Sequence, residues 1–337
     1  MIKFGIIGCG SISGVHAAAI ENIEEAKIVA CCDTDEVRGR KFAEKNNCQY
    51  FKNYPDLLKQ ELDVVTIATP HYLHKEMSIA ALKAGKHVIC EKPMAISSEE
   101  AQQVIEVANA SNRHYAVCFQ NRFNESFIEC KRRIEAQEFG KLRGMKCELT
   151  WKRDAAYYAA ANWKGSWQTE GGGVLINQAI HTLDAISWLF EQPYRVKGKI
   201  MTSLLDGVVE VEDAAMATAQ LADHTPIVIF ASNDYSTDAN PVMTFDFEKA
   251  TVALTMQDLI IDGEIVEDQK IVQTTNKKNI WGNGHNRFVR AFVNQINGVA
   301  DPLIPNLAKN DAKNAIDLLT GIYKSSAVDQ WIKLSNN

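Results

Sequence analysis

The chain has 337 residues, 46% apolar and 23% charged, a composition that fits a globular protein long enough for two domains. A net charge of −6 and a pI near 5.8 exclude an electrostatic hold on nucleic acid or on an anionic membrane. No apolar run is long enough to span a bilayer, and Lys3 leads straight into a strand, so the chain is expected to lack a signal peptide and to be cytoplasmic.

Apolar runs at 2–7, 28–32, 63–68, 87–90 and 115–119 read as strands buried on both faces. Helical patterns at about 13–22, 35–46, 72–84 and 97–111 separate them, with a short helix at Tyr54-Pro55-Asp56. This rhythm predicts a doubly wound parallel sheet over residues 1–121. Residues 122–337 change pattern. A helix at about 124–138 leads to alternating runs at 142–152, 194–203, 212–222, 225–234, 241–247 and 251–256, which predict a mixed, mainly antiparallel sheet. A helix at about 174–190 interrupts them, and helices at about 284–297 and 308–330 close the chain. The fold class expected is α/β, a Rossmann domain followed by a second α/β domain. All eight cysteines lie between Cys9 and Cys147 with no Cys-x-x-Cys pair, so neither a disulfide framework nor a metal site is expected.

The first strand ends in the turn Gly8, Cys9, Gly10, Ser11, Ile12. There bare backbone and a helix N-terminus can take up a pyrophosphate. Ser13 replaces the third glycine of the dinucleotide fingerprint, and Gly14 follows it. The second strand ends in Asp33, where a carboxylate accepts from ribose hydroxyls and repels a 2′-phosphate. NAD is therefore the expected cofactor, and Arg38 keeps NADP open. Ala68 and Thr69 at the end of the third strand are small enough to let a dinucleotide cross, and of the two histidines that follow, His74 is expected to line the pocket.

The fourth strand ends in Glu91-Lys92-Pro93. Alone, this reads as a strand-end ion pair or as an ammonium aimed at a substrate oxygen. Behind the loop Gly171-Gly172-Gly173, Asn177 and His181 stand at i and i+4 of the predicted helix, with Asp184 beyond. A histidine near neutrality suits removal of a hydroxyl proton as a hydride leaves. The stretch Arg153, Tyr157, Tyr158, Trp163 reads either as a sugar-binding loop or as interface packing. His285, in Gly282-Asn283-Gly284-His285, reads either as a cleft residue or as an ordinary residue at a helix start.

Gly8-Cys9-Gly10, Ala68-Thr69-Pro70 with His74, Glu91-Lys92-Pro93, Gln120-Asn121-Arg122-Phe123 and the Gly171–Asp184 segment together resemble the Gfo/Idh/MocA oxidoreductases over essentially the whole chain. The resemblance implies that Lys92 and His181 are catalytic. It also implies that Asn177, Arg153 and Tyr158 meet the substrate, with His285 kept beside them as a candidate contact on its place at the helix start alone, and that Glu91, Gln120 and Trp163 join Lys92 in the nicotinamide pocket. It further implies a Lys92–Pro93 bond that is often cis, and a homodimer or homotetramer built on the second sheet. Asn177 departs from the family's acid at that position, which puts an Asp–His proton relay in doubt. The activity implied is hydride transfer between a nicotinamide and a hydroxyl of a sugar, polyol or sugar derivative. A glycosidase using NAD transiently, or a silent dinucleotide sensor, would share many of these residues.

Overall fold

The computed structural model describes residues 1–268 and 283–334, so Gly282 lies outside the described residues. In chain order, the first part is β1 (Ile2–Ile7), α1 (Ser13–Glu21), β2 (Ala26–Cys32), α2 (Glu36–Lys45), β3 (Gln49–Phe51) and α3 (Tyr54–Leu58). It continues with β4 (Val64–Ile67), α4 (His74–Lys83), β5 (His87–Cys90), α5 (Ser98–Ala110) and β6 (Tyr115–Val117). Then come α6 (Glu125–Glu135), β7 (Leu142–Thr150), α7 (Ala155–Ala159), α8 (Val174–Asn177), α9 (Ile180–Leu189) and β8 (Arg195–Met201). The rest is β9 (Ala214–Gln220), β10 (Pro226–Ser232), β11 (Val242–Phe247), β12 (Thr251–Thr255), β13 (Asp258–Ile261), β14 (Glu264–Asp268), α10 (Gly284–Asn297), α11 (Lys309–Val328) and β15 (Ile332–Lys333).

The chain forms two compact units. The first holds a parallel sheet in the order β3-β2-β1-β4-β5-β6. Its central strands are continuous apolar runs because both faces are covered, and all four residues of β4 are buried. The order reverses at β1, which opens a crevice at the carboxyl ends of β1 and β4. Asp35 caps α2 by accepting from the Arg38 N–H at 3.0 Å.

This unit comprises Met1–Ala95, Glu99–Gln120 and Gly284–Ala312, so α10, which sequence reasoning put in the second domain, belongs with the parallel sheet. The physical reason is its apolar stripe: Phe288, Val289, Phe292 and Val293 are buried, and α10 packs on α1. Arg290 ties the pair by donating to the Asn22 carbonyl at 3.0 Å.

The second unit holds a nine-stranded sheet in the order β14-β13-β12-β11-β7-β10-β9-β8-β15, in which only β7 and β10 run parallel. Met145, Cys147 and Leu149 of β7 face a core with Ile227 and Ile229 of β10 and Phe245 of β11. The alternation along these strands is that of a sheet covered on one face. The helix expected over 174–190 is interrupted. The Ala179 N–H bonds the Val174 carbonyl at 2.8 Å, one residue beyond α-helical spacing, and α9 starts afresh at Ile180. Among the described residues no helix is long and apolar enough to cross a membrane.

Candidate active site

At the tip of β1, Gly8 adopts φ +91, and a Cβ there would stand 2.4 Å from the Ala68 carbonyl oxygen. Space around Gly10 is open, with nothing within 4 Å of where its Cβ would be. The N-cap position of α1, Ile12, brings no side-chain hydrogen bond, and the Ser13 hydroxyl donates to the Gly10 carbonyl at 2.6 Å. Bare backbone before an uncapped helix start fits the pyrophosphate of a dinucleotide. Gly8, Gly10, Ser11 and Ile12 would hold that part of NAD.

Asp33 ends β2 as expected, but its carboxylate is already occupied. It accepts from the backbone of Cys9 and Asp35, both at 2.9 Å, and from Nε and Nη2 of Arg38 at 2.8 and 2.7 Å. Burial raises its pKa, and these donors more than reverse that, so the group lies below the usual carboxylate range. The guanidinium on a solvated helix thus becomes a fork clamped on the Asp33 carboxylate.

The ion pair suggested by Glu91-Lys92 takes a different form. The Glu91 carboxylate is buried and meets His16 Nε2 at 2.6 Å, while the Lys92 backbone N–H donates to its other oxygen at 3.3 Å. Burial opposes ionisation, but His16, His285 and Lys92 bring Glu91 down to about 2. The Lys92–Pro93 peptide is cis.

His285 is buried edge-on against His16, with ring centroids 5.8 Å apart, so it is an internal packing partner and not an exposed contact. Burial and His16 lower it to about 4. His74 is likewise fully buried. Its two nitrogens meet the carbonyls of Pro93 at 2.6 Å and Thr69 at 2.8 Å, so it ties the loops after β4 and β5 together instead of lining a pocket. Burial resists its charging, but Cys90 and the two carbonyls raise it to about 9. Gln120 is buried just after β6.

In the second unit, Asn177 ends α8 and His181 opens α9, so they do not share one continuous helical face as expected. Asn177 donates to Glu170 at 2.5 Å, and the Tyr157 hydroxyl accepts from Gln178 at 3.2 Å. His181 shares a small pocket with Asn121, Gln178, Thr182 and Met256. Arg122 makes a buried two-pronged pair with Asp184, which anchors α9.

Arg153 and Tyr158, each expected at the substrate, have separate partners. Tyr158 is buried and accepts from Asn233 at 3.0 Å, whereas Tyr157 lies in the Asn177 cluster. Arg153 bonds Asp238 at 3.0 Å and stacks over Trp151 and Tyr157. Lys164 sits 3.5 Å from the centre of the Tyr157 ring and 5.9 Å from that of half-buried Trp163. Burial lowers the Lys164 pKa, against the pull of Glu170.

Sequence reasoning passed over Glu170, Glu212 and the role of His16. Buried Glu212 accepts from the N–H groups of Gly173 at 2.9 Å and Leu175 at 3.0 Å, and from the Tyr323 hydroxyl at 2.8 Å. A Cβ on Gly173 would come 1.8 Å from the Glu212 carbonyl oxygen, which is why the loop is bare there. The available signal was an acid directly preceding three glycines, Glu170, and an acid pair inside a strand-like run, Glu212-Asp213.

A model of the oxidoreductase family with an NAD-binding Rossmann fold matches residues 2–119, and one of the GFO/IDH/MocA C-terminal domain matches residues 127–253. Glucose-6-phosphate 3-dehydrogenase of Bacillus subtilis (strain 168) is 30% identical over 239 residues, covering 69% of this chain and 68% of that protein. D-glucoside 3-dehydrogenase of Escherichia coli (strain K12) is 25% identical over 319 residues, 88% of each chain. The structure of the WlbA dehydrogenase from Bordetella pertussis, in complex with NADH and UDP-GlcNAcA, superposes with a TM-score of 0.86 at 28% identity, covering 100% of this chain and 99% of that one. The chain belongs to the Gfo/Idh/MocA family and is an NAD-binding oxidoreductase.

Proposed function

We propose that the protein is an NAD-dependent dehydrogenase oxidising a secondary alcohol of a sugar, cyclic polyol or sugar derivative, or reducing the matching ketone. The observation that carries this reading is the cluster around Asn177. Tyr157, Gln178 and Glu170 bring hydroxyl, amide and carboxylate groups together beside aromatic faces stacked by Arg153 and Lys164. Adjacent hydroxyls on an apolar ring face call for that combination.

When bound, NAD would supply the acceptor for the hydride. The Lys92 ammonium hydrogen-bonds the reacting oxygen and stabilises charge growing on it. His181 accepts the hydroxyl proton in oxidation and returns it in reduction. Asn177 holds a neighbouring hydroxyl. The relatives named as 3-dehydrogenases of glucose 6-phosphate and D-glucosides support a sugar hydroxyl as the target. Eight free cysteines, seven of them buried, support a reducing cytoplasm. A homodimer or homotetramer formed through the nine-stranded sheet is part of the same proposal.

The test is a panel of glucosides, sugar phosphates, inositols and nucleotide sugars followed at the NADH absorbance with NAD and NADP in parallel. Lys92→Ala should lower kcat/KM by about 10²–10³-fold and His181→Ala by about 10²–10⁴-fold, each with the melting temperature retained. An enzyme that binds NADH but turns over no member of the panel would sink the proposal.

A further inference from the structure

Asn177 occupies the position where the resemblance led to an acid, and a carboxylate nevertheless reaches it. Glu170, 1% exposed, closes the turn that runs into Gly171-Gly172-Gly173. One of its oxygens accepts from Asn177 Nδ2 at 2.5 Å and the other from the Gly165 N–H at 2.6 Å. With a donor on each oxygen, the carboxylate cannot turn without losing one of them. Gly165 is itself held, at φ +79 and packed near Val209.

We propose that Glu170 is the positioning acid of this site, fixing the Asn177 amide so that its Oδ1 serves as the acceptor for a substrate hydroxyl. The inference rests on the sugar-dehydrogenase reading above. A carboxylate only accepts, so it selects the NH2 end of an amide whose two ends are nearly equal in size. Without that selection either end could face a sugar, and one of the two would present a donor to a hydroxyl proton. The negative charge is thereby kept one side chain away from the substrate. Asn177 takes a hydrogen bond without taking a proton, so the acid–base step falls to His181 alone. The carboxylate is also felt by Tyr157, Tyr158, Lys164 and Tyr323, which face it from α7, the following loop and α11.

An exchange cycle tests this. In Glu170→Gln a single amide oxygen must serve both Gly165 and Asn177, so Asn177 loses its fixed orientation. KM for the best sugar of the panel should rise about tenfold, with kcat changed less and NADH affinity unchanged. Glu170→Gln combined with Asn177→Asp restores the pair in reverse, since the amide introduced at position 170 keeps its oxygen on the Gly165 N–H and offers its NH2 to the new carboxylate. This double variant should recover most of both KM and melting temperature. Asn177→Asp alone sets two carboxylates against each other and should melt lowest near pH 8, recovering as the pH falls. If Glu170→Gln does not fold, Asn177→Ala leaves the Glu170–Gly165 bond intact and should raise KM by the same amount.

A double variant no more stable than the two singles summed would overturn the pairing, and a KM within twofold of wild type in Glu170→Gln would overturn its role at the substrate. The melting cycle needs no substrate. If the wild-type enzyme oxidises nothing in the panel, the substrate reading falls, while the pairing is still decided by melting.

Discussion

Arg38 grips the one carboxylate at the tip of β2 that the sequence suggests for cofactor choice. On the proposal that Asp33 receives the cofactor's ribose, the ribose would meet a carboxylate already gripped by Nε and Nη2 of the same guanidinium, and adenosine binding would be an exchange of partners. The same guanidinium, with its side chain half exposed, is a ready counter-charge for a 2′-phosphate. Arg38→Ala should therefore raise KM for NADP by about tenfold while leaving KM for NAD equal or lower, as steady-state titration of both cofactors would show. Equal loss with both cofactors would mean that Arg38 only braces Asp33. Gly8, Asp33 and Lys92 stood out in the sequence because each sits where a strand meets a turn, and His181 because it follows a triple-glycine loop into a helix. The His16–Glu91 bond spans 75 positions, and no local pattern announces a pair that distant. Tyr157 and Tyr158 were indistinguishable as letters. They separate only because α7 is a helix, which turns adjacent side chains about 100° apart.

At the scale of elements, the start of α8 depends on Glu212, whose carboxylate receives the Gly173 and Leu175 N–H groups and the Tyr323 hydroxyl. Burial pushes this carboxyl up to about 7 even though Leu175, Tyr323 and Gly173 all donate to it. The folded chain therefore keeps the proton to higher pH than the unfolded chain. The group's contribution is full below the ordinary carboxylate range and drains away as pH rises through 7. Glu212→Gln puts an NH2 against a backbone donor and should cost roughly 1–3 kcal/mol at pH 5. The melting gap between wild type and variant should narrow by pH 8.5, and a gap that widened with pH would contradict the assignment. Some elements were legible but went unread. The β13–β14 hairpin turns on Asp262-Gly263, both at positive φ, a pairing that signals a two-residue hairpin turn. Three-residue β3 and two-residue β15 offer too few side chains for any period to register.

Across the whole molecule, the parallel sheet was the easiest part to read, because strands buried on both faces leave unbroken apolar runs. The second sheet is legible in its alternation, but its order is not, since antiparallel neighbours nine strands wide are chosen by packing. Its outward face carries Met216 and Val228, each about half exposed, with Phe230 directly opposite Met216 across the ladder. An apolar strip of this kind on a wide sheet suits a second copy of the chain. Light scattering should return a multiple of the 37.5 kDa chain mass, and Met216→Lys with Val228→Lys should return the chain mass alone. A monomeric wild type would remove the sheet from that role.

The place of α10 has a consequence in time. Its stripe of Phe288, Val289, Phe292 and Val293 belongs with the unit that holds β1 and α1, yet it follows β6 by roughly 180 residues, or about 10–35 s of ribosomal synthesis. For that interval the nascent Rossmann sheet waits with the flank of α1 bare, while strands β7 to β14 of the second sheet are synthesised. The unit that begins the chain is thus finished only after most of the second unit has been made.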